Sequence, residues 1–231
     1  VVNVTTDRPP TPPSAASAKL ETKTSTNSAS AGSPYKESVR LIYSNRSSVA
    51  FSVVFGLSVG VFYAIPPFLS QFVPLWPPSA RGWLGGIFQL SAIAGCLAAG
   101  RMVDSFQQHY KLISVYLLMA AIASLLVFSV AVTTSQEDVS YVAIVACGCI
   151  GICLAAFMSV GIEFGTALTY PADEGAVYGV LDGAAELSGF LLVTTGGAMN
   201  VGMGYIVSLL GILVTSLVIL WHIEGETKRP Q

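Results

Sequence analysis

Charge is scarce in this chain: 11 basic and 13 acidic residues in 231, or 10%. Nine of these fall within residues 1–48, which leaves 15 for the other 183 positions. No basic patch is present, so nucleic acid is not an expected partner. Histidine occurs twice and cysteine four times, too few for a multi-metal centre or a disulfide framework at recognisable spacings. Cys96, Cys147, Cys149 and Cys153 all lie in apolar runs and read as small packing residues. His109 and His222 end such runs, where a solvated ring is expected. The GxxxxGK[ST] and HExxH patterns are missing, so ATP-driven transport and metalloprotease chemistry have no support. Gly56-Leu57-Ser58-Val59-Gly60 fits G-x-S-x-G, but a nucleophile elbow needs a strand, a turn and a helix, and this stretch is continuously apolar. It reads as a chance match. No enzyme activity, metal site or cofactor is expected.

What the chain does have is apolar surface: 53% hydrophobic residues and a mean hydropathy of +0.67, far above a soluble domain. Residues 1–48 stand apart, with 16 Ser or Thr and five Pro, and read as a disordered linker or tail that cannot bury enough to offset its ordering entropy. No apolar h-region of a signal peptide occurs there, and Val1 in place of methionine suggests a fragment or processed product. From Val49 onward, runs of about 18 to 24 apolar residues alternate with polar breaks, and each can cross a hydrocarbon core of roughly 30 Å as a helix. Six spans are expected, approximately Phe51–Phe72, Trp83–Gly100, Leu112–Val132, Val139–Ile162, Ala176–Met199 and Val201–Trp221. A short tail, 223–231, follows. Breaks fall at Pro74–Pro78, Asp104–Lys111, Ser135–Asp138, Tyr170–Glu174 and Asn200. The runs lack the two-residue alternation of barrel strands.

With six spans both ends lie on one side. Ten basic residues fall on the side of the termini and Arg81 alone on the other, which places both termini in the cytoplasm. The glycosylation sequons at Asn3 and Asn45 are then unused. Single cysteines at Ser135 and Ser33 of a cysteine-free chain should therefore differ towards an impermeant thiol reagent on intact cells, Ser135 labelling and Ser33 not. Equal labelling would overturn this orientation.

Acidic side chains inside spans are costly and usually face a cavity, a partner or an ion path. Three qualify: Glu163, Asp182 and Glu186. Glu186 lies about 15 Å in from the cytoplasmic end of the fifth span and Asp182 about 10 Å in, at 1.5 Å per residue. Their i, i+4 spacing puts both on one face, and no Lys or Arg lies at comparable depth. A cation or proton pathway is the sharper reading; a polar contact between helices is the plainer one. Pro66-Pro67 should bend or break the first span, and discontinuous helices often form transporter sites. Phe62 and Tyr63, one turn before, could offer an aromatic face to a cation, or simply pack. Gly95/Ala99, Gly85/Gln89 and Gly148/Gly151 suggest close helix packing.

The segment Glu163-Phe164-Gly165-Thr166-Ala167-Leu168-Thr169-Tyr170-Pro171-Ala172-Asp173-Glu174-Gly175, with Gly179, Leu181, Asp182, Ala185, Glu186 and Gly189 after it, resembles a known pattern. It is similar to the tenth-to-eleventh helix junction of the feline leukemia virus subgroup C receptor family of major facilitator transporters, approximately E-x6-T-Y-P-x-x-E-G and then G-x-L-N-x-x-A-Q-x-x-G. Phe62-Tyr63-Ala64, then Gly82, Gly85, Gly95, Gly100 and Asp104, and Tyr110-Lys111 resemble its seventh to ninth helices. The likeness covers about residues 50–222. Ala167 stands where the family usually has a second glutamate, Asp182 where it has asparagine, and Glu186 where it has a glutamine that contacts choline.

The resemblance implies an all-α membrane protein, the C-terminal half of a twelve-helix transporter with two inverted three-helix repeats. Residues 1–48 would be its central cytoplasmic loop. It implies an N-terminal six-helix half as partner, a location in the plasma membrane, and choline, ethanolamine or heme as substrate. Substrate contacts would fall to Glu186, Asp182, Tyr63 and Glu163. Gly100, Arg101 and Asp104 resemble the second copy of the facilitator's gating loop. The rivals are a non-transporting receptor or scaffold, which leaves the midplane acids unexplained, and a truncated half-transporter.

Overall fold

A computed structural model describes residues 34–105, 109–134, 139–198 and 202–223. The Ser/Thr-rich stretch 1–33 with its sequon at Asn3, the break at Ser135–Asp138, Asn200 and the tail 224–231 lie outside them. Among the described residues seven helices follow one another: α1 Pro34–Ser44, α2 Arg46–Phe72, α3 Pro78–Ser105, α4 Tyr110–Thr134, α5 Tyr141–Thr169, α6 Glu174–Ala198 and α7 Met203–His222. The last six are long and apolar enough to cross a membrane. They are the six expected spans, with ends displaced by a few residues, because a helix continues past the hydrocarbon edge until a cap or a proline stops it. Asn45 starts α2 by accepting the Ser47 N–H, and Ser140 starts α5 by accepting the Ala143 N–H.

Three expectations are corrected. Residues 34–48 are not all linker: Pro34–Ser44 is helical and α2 already begins at Arg46. Pro66-Pro67 does not break the first span; α2 runs through both to Phe72, held on either side by buried Ala64, Ile65, Phe68, Leu69 and Phe72. Gly100, Arg101 and Asp104 do not form a loop but occupy the last turns of α3, with all three exposed.

The packing of the spans repeats itself. α3 packs along α5 as α2 packs along α6, and α4 lies on α5 as α7 lies on α2; α2 also meets α5, and α4 meets α7. Exchanging the first three spans with the last three leaves this pattern unchanged. Consecutive spans alternate direction, so two units of three are inverted relative to each other, the arrangement of a major facilitator half.

The two long crossings are both built on glycine. Gly95 of α3 lies against the Ile152 backbone of α5, where a Cβ would come within 2.3 Å of its carbonyl oxygen, and Gly151 answers it against Phe88 O at 2.6 Å. On the other crossing Gly56 and Gly60 of α2 lie against Ala184 and Ser188 of α6 at 2.9 and 2.7 Å. Lipid tails solvate apolar side chains as well as a neighbouring helix does, so such spans associate through close backbone approach, which small residues permit. Gly95 and Gly148/Gly151 thus pack as expected. Gly85 does not, since nothing lies within 4 Å of its Cβ position. The G-x-S-x-G match at Gly56–Gly60 turns out to be a small-xxx-small contact.

At one end of the bundle Lys111 Nζ, on the first turn of α4, donates to Ile223 O at 2.5 Å and Trp221 O at 3.1 Å. A cation thus closes the last carbonyls of α7 and ties the third span to the sixth. Lys111→Met should cost about 1 kcal/mol. The measurement is the temperature at which half of the detergent-solubilised chain stays monodisperse; an unchanged midpoint would show that water serves those carbonyls equally well.

Candidate functional site

The site forms where α2 and α6 run side by side. Gly56, Gly60 and Gly189 bring the helices so close that the Tyr63 ring lies on the backbone of α6, with its Cβ 3.2 Å from the Cβ position of Gly189. Glu186 stands at the centre of the 25-residue α6, one turn before Gly189, and Asp182 one turn earlier. Tyr178, Asp182 and Glu186 follow one another at i, i+4 spacing along one flank of α6, and Tyr63 packs on Gly189 one turn further on. Three of the four expected substrate contacts, Tyr63, Asp182 and Glu186, are therefore brought together, and Tyr178 joins them unforeseen. An i, i+4 count back from Asp182 would have found it.

Glu163 is not part of this group. It sits half-buried on α5, immediately before the buried stretch Phe164–Leu168. Phe62 stacks on Phe88 of α3 with centroids 5.4 Å apart and lies 5.8 Å from the Tyr63 ring, a packing arrangement. Tyr63 Oη lies 4.0 Å from Met158 Sδ of α5, which leaves the hydroxyl only a weak acceptor within the bundle.

Glu186 and Tyr178 are exposed on the bundle surface and Asp182 is half-exposed. Gly179, Gly183, Leu187 and Phe190 (68% exposed) continue the same open surface. A midplane carboxylate directed at lipid would be severely penalised, so this face requires a polar or protein neighbour. Two further grooves lie elsewhere. They have volumes of about 460 and 480 Å³, run between α4 and α5 along Val127, Val142 and Val145, and are almost wholly apolar. Grooves of that lining on a spanning bundle suit lipid tails, whereas the face that bears Glu186 and Asp182 is polar and open.

Among the described residues no group of His, Cys, Asp and Glu is arranged to hold a metal ion. The four cysteines are unpaired thiols. Cys147 is buried in the core cluster, as expected of a packing residue. His109 and His222 are exposed at helix ends.

No family model matches the chain. Curated relatives do. An uncharacterised MFS-type transporter of Caenorhabditis elegans is 28% identical over 97% of the chain and 38% of its own length. The choline/ethanolamine transporter FLVCR1 of Felis catus is 26% identical over 84% of the chain and 34% of its own length. The choline/ethanolamine transporter flvcr2b of Danio rerio is 24% identical over 99% of the chain and 47% of its own length. All are named as transporters, not enzymes. The chain spans between about a third and a half of the length of these relatives. Sequence likeness over most of the chain, six spans and an internal three-plus-three repeat agree, and they relate it to the feline leukemia virus subgroup C receptor family of major facilitator transporters.

Proposed function

We propose that this chain is the C-terminal half of a secondary transporter that moves a small organic cation, choline or ethanolamine in the first place, by alternating access. What supports the reading is that Tyr178, Asp182 and Glu186 line one flank of α6 at i, i+4 spacing, where Tyr63 of α2 packs on Gly189. Carboxylates neutralise an ammonium, and aromatic rings favour its methyl groups through their negative faces. An N-terminal six-helix half supplies the missing wall, and the two halves rock about the midplane acids. Gly100, Arg101 and Asp104, at the end of α3, meet that second half when the cytoplasmic side closes. Both termini are cytoplasmic and the plasma membrane is the site of action. Heme is the alternative substrate, bulkier and bound away from the acid pair.

Two measurements test the proposal. Sequence of the transcript upstream of Val1 should encode six further spans. Cells expressing that whole protein should take up labelled choline and ethanolamine above untransfected cells, with each competing against the other. Uptake of neither, with the protein at the cell surface, would sink the substrate assignment.

A further inference from the structure

The short helix α1 is locked in one orientation by two inward residues. Ser38, 6% exposed, accepts the Asp173 N–H through its Oγ at 3.1 Å, and Ile42, 1% exposed, enters the core. Asp173 itself caps α6, its Oδ2 accepting the Ala176 N–H at 3.1 Å. α1 therefore lies across the α5–α6 junction. Only Asn45 separates it from α2, which fixes its C-terminal end at the edge of a membrane span.

That lock determines what α1 shows to the outside. At 100° per residue, Tyr35, Val39 and Tyr43 form one stripe beside the docked face, and Lys36 and Arg40 form the next. Tyr35 is 55% and Tyr43 61% exposed; both cations are exposed, and Arg46 continues them at the head of α2. Amphipathic tyrosine rings favour the headgroup level, and lysine and arginine beside them attract anionic lipid. A helix with this pairing lies in the plane of the interface.

We propose that α1 is an interfacial helix whose Tyr35/Val39/Tyr43 stripe sits among the headgroups and whose Lys36 and Arg40 bind anionic phospholipid. Charge complementarity and continuity with α2 select this occupant. The inference is independent of the substrate and of the second half. Through Ser38 and Asp173, the lipid-bound helix braces the head of α6, the helix that carries Asp182 and Glu186.

The test uses the full chain in nanodiscs of phosphatidylcholine alone or with phosphatidylserine. In a cysteine-free version, Tyr43→Cys carries an environment-sensitive fluorophore, quenched either by lipid-attached groups or by iodide. In discs containing phosphatidylserine, the label should favour the lipid quencher. Each cation near an anionic surface contributes roughly fivefold, so Lys36→Glu with Arg40→Glu should lower the ratio of seated to unseated helix at least about twenty-fivefold. A label at Val127, 47% exposed on α4, must remain lipid-quenched in every sample, which separates a dislodged α1 from an unfolded chain. Native mass spectrometry of the chain with its cysteines intact should show phosphatidylserine retained, and lost with both substitutions. An aqueous Tyr43 label in both compositions would overturn the proposal. So would a protected label indifferent to phosphatidylserine and to both substitutions, since α1 would then be covered by protein.

Discussion

Replacing Glu186 by alanine in the whole transporter should lower choline and ethanolamine uptake about thirtyfold. Removing one partner of a desolvated charge pair costs at least about 2 kcal/mol, because the ammonium then sits unpaired. Glu186 is at the centre of α6, and no other carboxylate of that helix lies at its depth. Glu186→Gln should retain transport, since an amide oxygen still accepts from a substrate hydroxyl or a primary ammonium. Asp182→Asn should have the smaller effect, because Asp182 is one turn nearer the start of α6 and less exposed. The measurement is initial uptake at matched surface level. Parental uptake by Glu186→Ala would overturn the site assignment and favour a bulky substrate such as heme, bound elsewhere.

The spans were legible because hydropathy over about twenty residues is the strongest signal a sequence carries. That Asp182 and Glu186 share one face of α6 was legible from their i, i+4 spacing alone. Three features were hidden for separate physical reasons. The composition of residues 1–48 is dominated by Ser, Thr and Pro of its first two thirds, and the average concealed an amphipathic stretch that begins with proline at the first helical position. The proline pair suggested a break, but tertiary packing on both sides of Pro66 and Pro67 holds α2 continuous. Gly56 and Gly60 matched an enzyme pattern in sequence. Their actual role depends on which helix lies opposite, and that is set by the three-plus-three arrangement. Gly85 and Gly95 look alike in the chain, yet only one faces a neighbouring backbone.

That last difference gives a prediction on stability. Gly95→Leu should be the most damaging single change in this bundle outside its capped ends. A Cβ at Gly95 would come within 2.3 Å of Ile152 O and 2.9 Å of its Cα, and backbone atoms cannot swing aside as a side-chain tip can. α3 and α5 would have to separate along their whole crossing, losing the reciprocal contact of Gly151 with Phe88 as well. Overpacking of this kind costs about 3 kcal/mol or more. Gly95→Ala already adds the offending atom and should show a large share of the loss. Gly85→Ala, with nothing within 4 Å, should be neutral or slightly stabilising, because alanine favours the helix by about 1 kcal/mol over glycine. The comparison is read as the yield of monodisperse chain in detergent and its midpoint on heating. Equal behaviour of Gly95→Ala and Gly85→Ala would mean that α3 and α5 do not meet backbone to backbone, and the repeat that pairs their crossing with that of α2 and α6 would fall with it.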